Sequence, residues 1–230
     1  LSGSAGPIRV YLEVGKKKTF AGAVDWPGWC RSGRGQEAAL ESLLACARRY
    51  ALALKSSRLG FAVPQDVSAF EVVERLKGDA TTDFGSPAIA PASDRDPIDP
   101  DDVRRFVTLL EACWRAFDRA VKHARGKELR KGPRGGGRNL DEIIEHVVGA
   151  EAAYLRRLGI DPGPDGTGDV AAGERRLRKL IPKGLEAAAR GELLKMGPRG
   201  GRRWTPRYYV RRSAWHILDH AWEIEDRVTE

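Results

Sequence analysis

The sequence predicts an α+β chain of two domains: a small α/β domain made of a β-hairpin and a helix, then an all-α four-helix bundle. Three observations carry this. Residues 8–14 alternate apolar and polar side chains, Gly15-Lys16-Lys17-Lys18 is a polar hairpin connection, and residues 19–24 return as a second strand. Residues 78–100 are rich in Gly, Pro, Ser, Thr and Asp, as a linker or a long covering loop is. From Asp99 onward, apolar residues recur at helical spacing in four blocks. The expected divisions are a first domain over 1–90, a linker over 91–98 and the bundle over 99–230.

Taken in order, the hairpin ends in Asp25-Trp26-Pro27-Gly28-Trp29, a turn because Pro-Gly cannot continue a ladder. A helix over 36–55 buries Leu40, Leu43, Leu44, Ala47, Ala51 and Leu54. Residues 61–73, mixed aromatic and β-branched with Pro64 near the start, read as a further strand. Asp99-Pro100 opens the first bundle helix, with Val103, Phe106, Val107, Leu110, Cys113, Trp114, Phe117 and Val121 on one face. Asn139 caps the second, which ends at Gly159. The third spans 169–190, with Pro182 interrupting or splitting it. Thr205-Pro206 starts the fourth, which runs to about 228.

An apolar content of 41% and a charged content of 31% describe a soluble globular protein. No apolar run approaches the roughly 20 residues that span a bilayer, so no membrane partner is expected. Residues 1–6 carry neither an initiator Met nor a signal pattern. Three Cys are an odd number, and Cys46 and Cys113 fall inside apolar helical patterns, so a reducing cytoplasm is the expected compartment. The net charge of +8 divides into +2 over 1–98 and +6 over 99–230. That surplus is diffuse, and with no recognition helix or interleaved aromatics beside it nucleic acid is not an expected partner.

Chemistry concentrates in the histidines, of which the chain has four. His216 and His220 lie one turn apart on one face of the last helix, a spacing at which two imidazoles can share one metal ion. His146 lies beside the apolar stripe of the second bundle helix and makes a third candidate ligand. His123, at the basic end of the first bundle helix, reads as a satisfied core or boundary residue. Asp219 and Glu223 each follow a candidate ligand by three residues and are candidates to hold its other ring nitrogen or to act as a base. Two similar loops, Gly132-Pro133-Arg134-Gly135-Gly136-Gly137-Arg138 and Gly197-Pro198-Arg199-Gly200-Gly201-Arg202-Arg203, precede the two histidine-bearing helices. If those helices run parallel, both loops cap one end of the bundle. Arg134, Arg138, Arg199, Arg202 and Arg203 would then form one pocket for an anionic group.

Two resemblances add to this reading. The strand, hairpin and strand, the Val24-Asp25-Trp26-Pro27-Gly28 turn and the helix opening at Gln36-Glu37-Ala38-Ala39-Leu40 resemble the small α/β domain of HicB-like antitoxins over residues 8–90. That resemblance implies a module that binds a protein partner. No ribbon-helix-helix or helix-turn-helix pattern accompanies it here. His146 on the second bundle helix, with Trp215-His216-Ile217-Leu218-Asp219-His220 on the fourth, resembles the DinB/YfiT-like superfamily of metal-binding four-helix bundles over residues 99–230. It implies that His146, His216 and His220 bind a divalent metal, commonly zinc or nickel, with coordination positions left open. Some relatives transfer low-molecular-weight thiols such as mycothiol or bacillithiol, and such bundles often form homodimers.

The expected function is that of a metal-dependent thiol transferase or hydrolase acting on a small anionic substrate, with a low-molecular-weight thiol as a candidate cosubstrate. The competing expectation is a non-catalytic regulatory or interaction protein, with a partner-binding front module and a structural or vestigial metal site.

Overall fold

Strand β1 (Ile8–Val14) is paired on both sides. It runs antiparallel to β2 (Thr19–Ala23) and parallel to β4 (Phe70–Lys77), while β2 also takes β3 (Cys30–Gly33), so the sheet order is β3-β2-β1-β4. The two edge strands run parallel, so the chain needs a crossover to travel between them. Helix α1 (Gln36–Leu54) provides it, packed on β2 and β3. The computed structural model describes residues 6–131, 137–163, 169–197 and 200–229. It divides into two compact units, Leu1–Arg95 and Asp96–Glu230. The architecture is α+β: a mixed four-stranded sheet at the start, followed by helices.

Aromatic residues decide the core of the first unit. Trp29 is fully buried and its indole N–H donates to the Leu43 carbonyl at 2.9 Å. The Tyr50 hydroxyl donates to the Pro27 carbonyl at 2.8 Å. These two anchors turn α1 so that Ala39, Leu43, Cys46, Ala47, Tyr50, Ala53 and Leu54 are buried. Leu40, Leu44 and Ala51, expected inside, lie half-buried at the margin. Gly33 ends β3 against the first turn of α1, where a Cβ would meet the Ala38 carbonyl carbon at 2.4 Å.

The strand expected over 61–73 is a correction. Phe61 instead packs edge-on against Trp26, Trp29 and Tyr50, with ring centres 4.9–5.0 Å apart. Burying that ring outweighs pairing its backbone. A one-turn helix at Val67–Ala69 follows, and β4 begins only at Phe70. Residues 78–95 fold back as a cover. Helix α2 (Ala80–Phe84) is boxed by Asp79 and Thr82. The fully buried Glu13 on β1 accepts from the Thr82 hydroxyl at 2.5 Å, from the Ala88 amide at 2.9 and 3.1 Å and from the Ile89 amide at 3.1 Å.

The second unit holds α3 (Pro100–Ala124), α4 (Leu140–Leu158), α5 (Val170–Ala189) and α6 (Pro206–Arg227). Side-chain caps start all four: Asp99, Asn139, Asp169 and Thr205 each accept from an amide in the first turn. Gly159, at φ 106°, closes α4 in the left-handed region. Helix α5 runs unbroken through Pro182, contrary to the expected interruption, with Ile181 and Leu185 buried on either side of it. The helices pack in a ring, α3 against α6, α6 against α4, α4 against α5 and α5 against α3.

Their directions follow from the contacts at their ends. Arg207 in the first turn of α6 bonds Asp102 in the first turn of α3 at 2.5 Å, and Val228 bridges Leu129 beyond the other end. These two helices therefore run the same way. Helix α4 opposes both: Arg125 at the end of α3 pairs with Asp141 at the start of α4 at 2.8 Å. Helix α5 follows the direction of α4, with Gly173 beside Val148 and Gly184 beside Leu155 and Ile160. Among the described residues no helix is long and apolar enough to cross a membrane. The three cysteines are buried, and none forms a disulfide.

Candidate metal centre

Helix α6 is buried on almost every side, because it lies between α3 and α4. His216 and His220 are 6% and 9% exposed, and His146, on α4, is half-buried. The three rings converge. His216 Nε2 lies 3.1 Å from His146 Nε2, ring centres are 4.6–5.0 Å apart, and one nitrogen from each residue falls within 4.8 Å of the others.

Antiparallel packing causes the convergence. The Trp204 amide donates to the Arg157 carbonyl at 2.9 Å at one end, and Arg227 Nη2 donates to the Arg138 carbonyl at 2.8 Å at the other. His146 lies about 10 Å from the start of α4 and His220 about 10 Å from the end of α6, so they meet at one level. The parallel arrangement considered from sequence is corrected. So is the shared anion pocket that depended on it. Arg138 sits where α4 starts and α6 ends, whereas Arg202 and Arg203 sit at the opposite ends of these helices, about 28 Å away along α4. Arg203 donates to the Gly159 carbonyl at 3.1 Å, which satisfies the end of α4, and Arg202 is exposed beside a bridge to Met196. Arg134 and Arg199 lie outside the described residues.

Of the two candidate carboxylates, Glu223 takes the predicted place. Its Oε2 lies 2.7 Å from His220 Nδ1, which leaves His220 Nε2 facing the other rings. Its Oε1 accepts from Arg227 Nη1 at 2.5 Å, and Arg227 also donates to the carbonyls of Arg130 and Arg138 at 2.9 and 2.8 Å. The His220 ring N–H, and after it Arg227, hold the Glu223 carboxyl below its ordinary range. Asp219 lies half-buried one turn after His216.

Burial favours the neutral forms of His146 and His216. It lowers both pKa values, His216 furthest, and the charges of neighbouring histidines and Arg138 lower them again; Arg212 adds to this at His216. A neutral imidazole is the form that binds metal. Two nitrogens about 2.0–2.1 Å from one tetrahedral ion stand about 3.3 Å apart, close to the His146–His216 separation. The three residues could therefore hold a divalent ion.

One side of the trio is open. A recess of about 790 Å³ is lined by Gly137, Arg138, Glu142, Glu145, His146 and Glu223. Elsewhere the trio is walled by Tyr154, whose ring lies 5.6 Å from His216 and 5.0 Å from Trp204. Arg212 stacks over Tyr154 at 5.5 Å and over Trp215 at 4.6 Å. Tyr154 and Arg212 carry no sequence signal beyond helical distance from a histidine, α6 placing Arg212 one turn before His216. His123, expected as a core or boundary residue, is instead exposed, its Nε2 3.4 Å from Lys127 Nζ.

No family model, curated protein or solved structure matches the chain.

Proposed function

We propose that the second unit is a DinB-like helical bundle that binds one divalent ion, zinc or nickel, through His146, His216 and His220, and acts on a small anionic substrate. The convergence of three imidazoles beside an open recess carries this reading. A structural zinc site is closed by four protein ligands, whereas a catalytic one keeps a position free. Here three candidate ligands stand together among the described residues, and the recess reaches His146.

When bound, the ion would act as a Lewis acid, making a proton of water or of a thiol easier to lose. The reaction class is accordingly hydrolysis or thiol transfer, with a low-molecular-weight thiol as cosubstrate in the second case. The chain's own side chains supply the rest. Glu223, held by Arg227, fixes the His220 ring and its tautomer, a positioning role in place of that of a base. Arg138 lines the recess and favours a carboxylate or phosphate group there. Tyr154 and Trp204 shield the far side from water.

The front unit, with its hairpin, crossover helix and covering segment, is read as a HicB-like partner-binding module. A purely regulatory protein with a structural ion is the competing reading, which the open recess disfavours.

Elemental analysis of protein purified without exposure to affinity metal tests the proposal. The wild type is expected to carry about one ion per chain and His146→Ala far less. Equal metal content in the two proteins would remove α4 from the site and end the three-histidine reading.

A further inference from the structure

A histidine that binds metal through one ring nitrogen places the other on a hydrogen-bond acceptor, which fixes the ring's tautomer and angle. His220 has that acceptor in Glu223. His216 does not: its Nε2 faces His146, and its Nδ1 is buried without a hydrogen bond among the described residues. Ser213 Oγ and Tyr209 Oη, buried on the same helix, also lack a hydrogen bond of ordinary geometry among the described residues.

Positions 209, 213 and 216 are spaced by four and three, so their side chains form one stripe of α6. Tyr209, Ser213 and His216 are 0%, 1% and 6% exposed, which keeps bulk water away from all three. Buried polar groups are seldom left unpaired, and three in a row on one stripe call for a common remedy.

One arrangement satisfies them together. A proton on His216 Nδ1 is given to Ser213 Oγ, the Ser213 hydroxyl gives its own to Tyr209 Oη, and the phenol gives onward toward Glu151. Each hydroxyl both donates and accepts, so the series closes without a group left over. Rotation of Ser213 about χ1, or one enclosed water, is enough to join neighbours. Burial pushes the Tyr209 phenol well up, the Glu151 charge adds to this, and the Ser213 hydroxyl lies close enough to oppose it. Glu151 is itself buried in the same interior, accepting from the Trp114 indole at 2.7 Å.

We infer that Ser213 and Tyr209 form a buried hydrogen-bonded relay that holds Nδ1 of His216, and that Ser213 is thereby a positioning residue for the metal site. The positioning role rests on the metal-site reading above; the relay is a property of the chain's own side chains.

Two measurements on the full chain separate these. The first is the ¹⁵N resonance of His216 Nδ1 in metal-free protein, which is expected to move in Ser213→Ala and stay near the wild type in Ser213→Thr. The second is zinc affinity by competition with a chromophoric chelator. Ser213→Ala is expected to weaken it about tenfold to hundredfold, Tyr209→Phe less, and Ser213→Thr little. Metal-free Ser213→Ala should still unfold cooperatively, at a modestly lower melting temperature because His216 Nδ1 and Tyr209 Oη lose their partner, and an unchanged circular dichroism spectrum sets aside a general loss of structure. An unmoved Nδ1 resonance overturns the relay. A moved resonance with unchanged zinc affinity overturns the positioning role. If the wild type takes no zinc while the resonance still moves, the relay stands and the metal reading falls.

Discussion

The two units treat a buried carboxylate in opposite ways. In the sheet unit, Glu13 is fully enclosed and its oxygens take bonds from a hydroxyl and two backbone amides, which pin the covering segment to β1. In the helical unit, Glu151 is equally enclosed, and its one hydrogen bond among the described residues comes from Trp114. Burial raises both pKa values. Three donors oppose the rise at Glu13, while Glu151 reaches about 7 with Trp114 and the charge of Arg178 opposing it. The first unit uses its buried polar groups up in holding itself together. The second leaves Glu151 with a single donor among the described residues, as proteins do where function is kept at the expense of stability.

Removing the staple in the first unit should have the largest effect. Glu13→Ala leaves the Thr82 hydroxyl and the amides of Ala88 and Ile89 without an acceptor, a destabilisation of about 3–5 kcal/mol. Hydrogen exchange should show lost protection in β1 and over residues 80–89, with α3–α6 unchanged. Full protection in this variant would mean the contrast between the units is only apparent.

The corresponding change in the second unit should stabilise. Glu151 has a raised pKa, about 7 against an ordinary 4.5, so the folded chain keeps the proton that the unfolded chain sheds first. Stability in α3–α6 therefore falls as pH rises from about 4.5 to 7, and the full penalty of about 3 kcal/mol is present above that window. Glu151→Gln keeps an acceptor for Trp114 and removes the charge. Urea unfolding should show it more stable than the wild type at pH 8 and equal at pH 4. A variant less stable at pH 8 would show that the charged form is needed by the fold.

The smallest of the three effects concerns Glu223, the carboxylate bonded to His220. Glu223→Gln breaks the charged link between Arg227 and His220. Metal affinity should fall about tenfold to hundredfold, equivalent to about 1.4–2.7 kcal/mol, with the metal-free fold intact by circular dichroism. An unchanged affinity would place Glu223 with the structural carboxylates of the first unit.

Features marked by neighbouring residues were legible in the sequence; features set by distant ones were not. The helix starts at Asn139 and Thr205-Pro206 are written within four residues, and both stand where expected. The hairpin of β1 and β2 is equally local. Strand β3 was missed because Cys30-Arg31-Ser32-Gly33 has no apolar alternation and lies at an edge, where pairing rather than burial makes the strand. The first residues assigned to β4 were wrong because Phe61 is drawn into an aromatic cluster by partners 11 to 35 positions away. The similar Gly-Arg loops suggested one pocket, since nothing local reports that α4 and α6 are antiparallel. The histidine pair was visible from its spacing. Glu151 could have been found: it falls at every-fourth spacing with Ile143, Val147 and Leu155 on the buried face of α4.

The 70 positions that separate His146 from His216 give the trio a thermodynamic property of its own. In an unfolded chain these nitrogens are scattered, so whatever binds them together binds the folded state alone. Its free concentration then sets the melting temperature, adding about 2.7 kcal/mol at a hundredfold excess over Kd. Screening metal ions for an upward shift in melting would rank them by affinity for the trio before any substrate is known.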